Sequence, residues 1–91
     1  MRTLSVSGKG KTIGRASGND LVLSDPTVSR LHAFMCLEAN GILVVDRDST
    51  NGTIVHRGGS TRVVKGCTAI VPDGTVIEIG QSMFRLEADE G

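Results

Sequence analysis

Residues 75–87 read TVIEIGQSMFRLE, and apolar and polar side chains alternate on both sides of a central turn. Ile77 and Ile79 would share one face of an extended strand while Glu78 takes the other, because successive side chains of a β-strand point to opposite faces. Phe84 and Leu86 repeat the pattern after the turn. Strands that bury only one face are typical of antiparallel sheets. This stretch therefore predicts two strands of an all-β protein.

The rest of the chain continues the pattern. Twelve glycines divide it into short segments rich in β-branched residues, which is typical of a sandwich or a small barrel. Strands are predicted near residues 2–6, 11–15, 21–23, 31–38, 42–46, 53–56, 61–64, 67–71, 75–79 and 82–87.

One segment, SRLHAFMCLEANG at residues 29–41, also fits a helix. Ser29 would be its N-cap and Asn40-Gly41 its C-terminal stop. Propensity alone favours the helix, whereas the strand-like neighbours and the apolar face formed by alternate residues from Leu31 to Leu37 favour a strand. The family resemblance described below decides for the strand.

Composition excludes several classes of function. Ninety-one residues make one domain, 1–91, which is too short for a nucleotide-hydrolysing α/β fold. Ten basic and ten acidic residues cancel, and two Phe with no Trp or Tyr cannot build a base-stacking platform. We therefore expect no nucleic-acid partner. A multi-step enzyme is also disfavoured.

The termini and the cysteines give further expectations. No apolar run approaches about 18 residues and the N-terminus lacks an apolar signal region, so we expect no membrane partner and a cytoplasmic location. The chain is either a whole small protein or a domain of a longer one, with residues 87–91 as a frayed acidic tail. Cys36 and Cys67 are expected to be buried thiols without a disulfide or a metal.

The stretch GKGKTIGR at residues 8–15 contains Gly-Lys-Thr, the end of a nucleotide-binding P-loop. A P-loop needs an earlier glycine, where this chain has Ser5, and a helix after the threonine, where it has Ile13-Gly14. We therefore interpret Gly8 to Gly10 as a hairpin turn between solvated lysines.

Three short motifs fall in predicted loops. They are Gly14-Arg15, the Ser29-Arg30-Leu31-His32 run and the Ser-Thr-Asn-Gly-Thr run at residues 49–53. Each has an ordinary explanation alone: a kink with a surface arginine, a half-buried histidine, and an Asn-Gly hairpin turn. With 13 residues between Arg15 and Ser29 and 18 between His32 and Asn51, together they resemble the forkhead-associated (FHA) domain.

The resemblance covers nearly the whole chain, including the frame NDLVLSDPTVSRLHAFMCL and the later PDGTVIEIG. It implies an all-β, antiparallel β-sandwich of about ten or eleven short strands with binding loops at one end. It also implies a module that binds phosphothreonine peptides. The expected partner is then a phosphothreonine-containing protein prepared by an upstream Ser/Thr kinase, with no cofactor, no metal and no catalysis.

The resemblance also assigns roles to residues. Arg15 would supply the charge for the phosphate, since a guanidinium can grip two oxygens. Ser29 would donate its hydroxyl, and Arg30 and Thr50 would approach from neighbouring loops. Asn51 would hold the peptide backbone.

Three further residues would shape these loops. His32 would brace them from beneath without touching the ligand, while Gly14 and Gly52 would allow the backbone its shape. The loop SDPTV, with Asp25 and Thr27, would read the third residue after the phosphothreonine.

Two alternatives stay open at this point. The chain could be an FHA-like scaffold that assembles complexes without phosphate, although such relatives tend to lose the arginine or the serine. Ser29, His32 and one of Asp25, Asp46 or Asp48 could form a hydrolase triad, but residues three apart on a strand point to opposite faces and no nucleophile elbow surrounds the serine.

Overall fold

The protein, described here by a computed structural model of residues 1–91, consists of strands and connecting segments without a helix. Alternating side chains form ten strands, as predicted. They are β1 (Arg2–Val6), β2 (Lys11–Gly14), β3 (Leu21–Val22), β4 (Ala33–Glu38), β5 (Gly41–Asp46), β6 (Thr53–Arg57), β7 (Ser60–Val64), β8 (Thr68–Val71), β9 (Val76–Ile79) and β10 (Ser82–Ala88).

The strands form two five-stranded sheets that pack as a sandwich. The first sheet has the order β1-β10-β9-β6-β7 and the second the order β3-β2-β4-β5-β8. The β1–β10 and β2–β3 pairs are parallel, and all other pairs are antiparallel. The predicted sandwich is confirmed, but both sheets are mixed, because alternation along one strand carries no information about the direction of its neighbour.

The core lies between the inner faces of the two sheets. Ile77, Ile79, Phe84 and Leu86, which the opening stretch placed on one face, are all at most 1% exposed. Thirteen further buried apolar side chains complete a single cluster of 17. Burying apolar surface is the main favourable term in folding, so this cluster holds the sheets together and fixes where the loops emerge.

Residues 29–41 do not form a helix. Residues 33–38 are strand β4, which pairs with β5 from Ala33↔Asp46 to Glu38↔Gly41. Leu31, expected on the buried face, precedes the strand and is 53% exposed.

Two turns interpreted as hairpins instead join the two sheets. Gly8 to Gly10 lies between β1 of the first sheet and β2 of the second, and Asn51-Gly52 lies between β5 of the second and β6 of the first. The hairpin interpretation is wrong at both places, because a hairpin requires its two strands to pair with each other.

The C-terminal strand continues further than predicted. Ala88, expected in the frayed tail, belongs to β10, and both Glu87 and Ala88 pair with β1. The amide of Asp89 also donates to the Val6 carbonyl at 2.8 Å. Backbone pairing at this edge therefore orders the start of the acidic segment.

Neither cysteine is fully buried, contrary to the expectation. Cys36 is partly buried, Cys67 is exposed, and both are free thiols. Burial raises the pKa of the Cys36 thiol, with a further contribution from the charge of Glu38. The fold contains no helix with the length and hydropathy needed to cross a membrane.

Candidate functional site

Three connecting segments meet at one end of the sandwich, and we call this end the loop site. They are residues 15–20 after β2, residues 23–32 before β4, and residues 47–52 between β5 and β6. Backbone hydrogen bonds join the first two, because Arg15 donates to the Ser29 carbonyl at 3.0 Å and Ala16 to the Arg30 carbonyl at 3.2 Å. The three predicted motifs therefore come together in space.

The guanidinium group of Arg15 is held through Nε, while its two terminal nitrogens have no partner. Its Nε donates to the Val28 carbonyl at 3.0 Å. Its terminal amino groups form no hydrogen bond or ion pair within the chain, and the side chain is exposed. A guanidinium held in this way presents its remaining donors to an anion in a fixed orientation.

Arg30 adds a second positive charge to this surface. Its side chain is exposed and makes no ion pair. Arg15 and Arg30 are therefore two exposed guanidinium groups of the loop site that have no carboxylate partner within ion-pair distance.

Ser29 and Thr50 form the junction between the second and third loops. The Thr50 amide donates to Ser29 Oγ at 2.9 Å, and the two hydroxyl oxygens are 3.5 Å apart. Because Ser29 Oγ accepts from this amide, its own hydrogen can turn outward to an acceptor.

Asn51 spans from the third loop to the second. Its side-chain Nδ2 donates to the Thr27 carbonyl at 2.9 Å. The residue is exposed, so its amide oxygen and second N–H stay accessible to a ligand. Thr27 is itself held by Asp25, which accepts from the Thr27 amide at 2.8 Å and its hydroxyl at 2.7 Å.

Asp25 also joins this loop to the opposite sheet. Its carboxylate accepts from the Gln81 amide at 2.8 Å, in the turn between β9 and β10. Hydrogen bonds from the Thr27 hydroxyl and amide, followed by that of Gln81, lower the pKa of Asp25. Asp25 is therefore part of the loop scaffold.

His32 lies under the loops with no exposed surface. The Ser29 amide donates to His32 Nδ1 at 3.0 Å, so this nitrogen carries no hydrogen. Nε2 consequently bears the hydrogen and donates to the Gly52 carbonyl at 2.9 Å. The neutral ring thus joins the second loop to the third.

Close backbone approach explains Gly14, and backbone conformation explains Gly52. A side chain at Gly14 would meet the Arg30 carbonyl oxygen and would come within 2.7 Å of Asn19 Nδ2. Gly52 has a φ of 82°, where only glycine is unstrained, and a side chain there would lie 2.9 Å from Val63 Cγ1.

The most extensive support beneath the loops was not recognised in the sequence. Asp46 is 3% exposed and its carboxylate accepts four hydrogen bonds. The donors are Ser49 through its amide (2.9 Å) and hydroxyl (2.6 Å), the Thr53 hydroxyl (2.8 Å) and the Gly66 amide (2.9 Å).

These bonds keep the buried carboxylate charged. Burial opposes the charge, but the hydrogen bonds from Ser49, Gly66 and Thr53 outweigh it and lower the pKa of Asp46. The Asp-x-x-Ser spacing at residues 46–49 was the available signal, because an aspartate often accepts from the amide a few residues later.

Asn19 is a second residue that sequence reasoning missed. Its Nδ2 donates to the Arg30 carbonyl at 2.8 Å and to the Ala16 carbonyl at 2.9 Å. The side chain therefore clamps the first loop to the second.

The hydrolase geometry is absent. The His32 ring contacts the Ser29 amide and not its hydroxyl, and Nε2 is 3.9 Å from Asp46 Oδ1 while donating to a carbonyl. No base is placed to accept the hydrogen of the Ser29 hydroxyl, so these residues do not form a triad.

The fold and the loop site define a β-sandwich that carries an exposed arginine on its connecting loops. The FHA domain model matches residues 11–80. The chain belongs to the FHA domain family.

Two solved structures show the same fold. Mycobacterium tuberculosis EmbR in complex with a low-affinity phosphopeptide is 28% identical, with a TM-score of 0.75 over 90% of this chain and 20% of that one. A structure described as an analysis of phosphothreonine-dependent FHA domain interactions is 31% identical, with a TM-score of 0.65 over 81% of this chain and 71% of that one.

Among curated proteins, the FHA domain-containing protein FhaB of M. tuberculosis is 35% identical over 91% of this chain. The match covers 50% of FhaB, so the chain spans about half the length of this relative.

Proposed function

We propose that this chain is a phosphothreonine-peptide recognition module that joins proteins in a phosphorylation-dependent manner and performs no catalysis. The observation that carries the proposal is the state of Arg15: Nε is occupied by the Val28 carbonyl while the terminal donors are free. The Arg15 amide donates to the Ser29 carbonyl, so this guanidinium belongs to the same pair of joined loops as the Ser29 hydroxyl.

Charge and donor count support a phosphate as the ligand. A phosphothreonine carries about −1.5 to −2 charges at neutral pH and three acceptor oxygens. Arg15 would supply two donors, Ser29 one, and Arg30 a charge at the rim, while Thr50 completes the loop surface. Each charge-assisted bond would contribute about 1.5–3 kcal/mol over water.

The peptide backbone would be held by Asn51. Its amide oxygen can accept from a peptide N–H while Nδ2 keeps the Thr27 carbonyl. Asn51 would then fix the register of the peptide, and Arg15 would supply the positive charge that binds its phosphate. With few side chains touching an extended peptide, we expect micromolar affinity, near −8 kcal/mol.

His32, Gly14 and Gly52 would act through loop shape in this proposal. His32 bonds backbone atoms of two loops, Gly14 lies against the Arg30 carbonyl, and Gly52 has a positive φ. The two relatives whose descriptions name a phosphopeptide or phosphothreonine dependence support the same ligand class. A Ser/Thr kinase acting on the partner, in the cytoplasm where ATP is available, would control the interaction.

Calorimetric titration tests this function. A degenerate phosphothreonine peptide library would select sequences, which are then compared in unphosphorylated, phosphoserine and phosphothreonine forms. We expect the phosphorylated forms to bind much more tightly than the unphosphorylated form, and phosphothreonine to be preferred over phosphoserine by about 1 kcal/mol because of its extra methyl group. Equal affinity for phosphorylated and unphosphorylated forms would refute the proposal and favour a phosphate-independent scaffold.

A further inference from the structure

A cleft of about 360 Å³ opens on the flank of the sandwich, where the edge of the first sheet faces the edge of the second. It lies between the β6–β7 hairpin and strand β8. Strand β6 begins at Thr53 beside the loop site and ends at Arg57 in the cleft. The cleft is therefore displaced from the loop site along the strands.

The floor of the cleft is apolar. Val55 of the first sheet and Ala69 and Val71 of the second, each 4–6% exposed, line it. Ile70, which is 44% exposed, forms part of its rim. Its size falls in the range of sites that hold small ligands or a few residues of a peptide.

Two arginines stand over this floor at inward-facing positions. Arg62 pairs with Val55 and Ser60 pairs with Arg57 across the β6–β7 ladder. Directly paired residues project on the same face of a sheet, so both arginines share the face of the buried Val55. Elsewhere on this face of β6 and β7, Thr53, Val55 and Val64 are buried.

Neither guanidinium has a partner in the chain. Arg57 and Arg62 form no ion pair, and neither side chain makes a hydrogen bond. The nearby carboxylate of Glu78 pairs instead with His56 at 3.0 Å, on the opposite face of the first sheet. The cleft therefore combines an apolar floor with two uncompensated positive charges.

We propose that this cleft is a second binding site, which takes an extended peptide segment of a partner protein that alternates acidic and aliphatic residues. Carboxylates would contact Arg57 and Arg62, and an aliphatic side chain would cover the floor at Val55 and Ala69. An extended segment lying between the arginines and the floor would turn its carboxylates to the arginines and its aliphatic side chains to the floor, because successive side chains point to opposite sides. The site needs no phosphate and is independent of the proposed phosphothreonine function.

Charge complementarity selects this occupant over a second copy of the chain. Antiparallel pairing of two β7 edges would place Arg62 of each copy close to its counterpart, and like charges across a ladder are destabilising. Inward-facing charges also protect sheet edges from pairing with other chains. Edge protection alone is therefore the competing explanation, and it predicts no ligand.

The test uses the whole ¹⁵N-labelled chain. One probe is a capped hexapeptide Glu-Val-Glu-Ile-Glu-Val, and its control has lysine in place of glutamate. We expect the acidic probe to shift the backbone amide signals of Arg62 and Ile70, while the lysine probe leaves them unchanged. The Arg57→Ser/Arg62→Ser double variant should bind the acidic probe about tenfold more weakly. Arg85→Ser, which removes one exposed arginine on β10 outside the cleft, is the control and should bind normally.

Two further measurements separate the outcomes. The affinity of the double variant for a phosphothreonine peptide should stay within about twofold of wild type. A loss of acidic-peptide binding at the cleft can therefore be told apart from a loss of phosphothreonine binding at the loop site. Sedimentation reports self-association. The proposal is overturned if the acidic probe leaves the cleft signals unchanged or binds the double variant as well as wild type. Self-association of the double variant without probe binding by wild type would assign the arginines to edge protection alone.

Discussion

Replacing Asp46 by asparagine tests the support beneath the loops. The carboxylate accepts two backbone amides on Oδ2, from Ser49 and Gly66, and two hydroxyls on Oδ1, from Ser49 and Thr53. An asparagine would keep its oxygen toward the amides, which can only donate. Its NH2 group would then face the two hydroxyls, which lose their acceptor and must rotate.

The size of the effect follows from these bonds. A hydrogen bond to a charged group contributes about 1.5–3 kcal/mol and a neutral one about 0.5–1.5, so each of the four bonds loses about 1 kcal/mol. Easier burial of a neutral amide offsets part of this loss. We expect Asp46→Asn to lower the free energy of unfolding by about 2–4 kcal/mol at neutral pH.

Urea unfolding followed from neutral to acidic pH measures this. The pKa of Asp46 in the folded protein lies below its ordinary value of 3.8. The contribution of Asp46 is therefore complete above pH 3.8 and is lost as the pH falls through the lowered folded pKa. The gap between wild type and Asp46→Asn should close over that range, and taking the difference cancels the lowered pKa values of Asp20 and Asp25.

Asp48→Asn is the matched control. The Asp48 side chain is 86% exposed beside Lys65, and we expect its loss to change stability by less than about 0.5 kcal/mol. Its φ of 54° also suits asparagine. A supporting role for Asp46 is excluded if the unfolding free energy of Asp46→Asn is within about 0.5 kcal/mol of wild type at neutral pH. It is also excluded if the difference in unfolding free energy between the two proteins stays the same at acidic pH.

Three other substitutions should act through the loops. Gly14→Ala should weaken phosphopeptide binding about tenfold, since its methyl group displaces the Arg30 carbonyl; calorimetry giving affinity within twofold of wild type would contradict this. Asn19→Ala should cost about 1–2 kcal/mol in urea unfolding, because two carbonyls lose their donor, and an unchanged midpoint would count against the clamp. Gly52→Ala should cost about 1–3 kcal/mol, because alanine is strained at its φ of 82°; thermal unfolding that matches wild type would exclude that strain.

The strands were largely predictable, because burial of one face leaves a local signal. The alternation at residues 75–87 marks β9 and β10 almost at their observed ends. Residues 29–41 were ambiguous because the outward-facing Phe34 and Cys36 are also apolar and partly buried. Apolar residues on both faces weaken the alternation that marks a strand. Only the pairing with β5, which involves residues farther along the chain, makes this segment a strand.

Strand partners and turns could not be predicted, because they depend on residues far apart in sequence. Asn51-Gly52 has the composition of a hairpin turn, yet it connects two sheets. The parallel pairing of β1 with β10 joins opposite ends of the chain. Nothing in the local pattern of either segment encodes those partners.

The residues of the loop site were also predictable only in part. Arg15, Ser29 and Asn51 could be singled out because their three motifs together resemble those of the FHA domain. Asp46 and Asn19 could not, since their bonds reach Gly66 and Arg30 in other loops. A polar side chain that supports distant backbone atoms looks in the sequence like any other loop residue.

Phosphate binding by Arg15 can be measured with a thermodynamic cycle. Calorimetry would compare wild type and Arg15→Ala with one selected peptide in its phosphothreonine and threonine forms, with Arg85→Ala as the control. We expect Arg15→Ala to lower affinity for the phosphorylated form at least about tenfold, or about 1.4 kcal/mol, and to leave the weak affinity for the threonine form unchanged. Equal losses for both forms, or no loss for the phosphorylated one, would contradict the account.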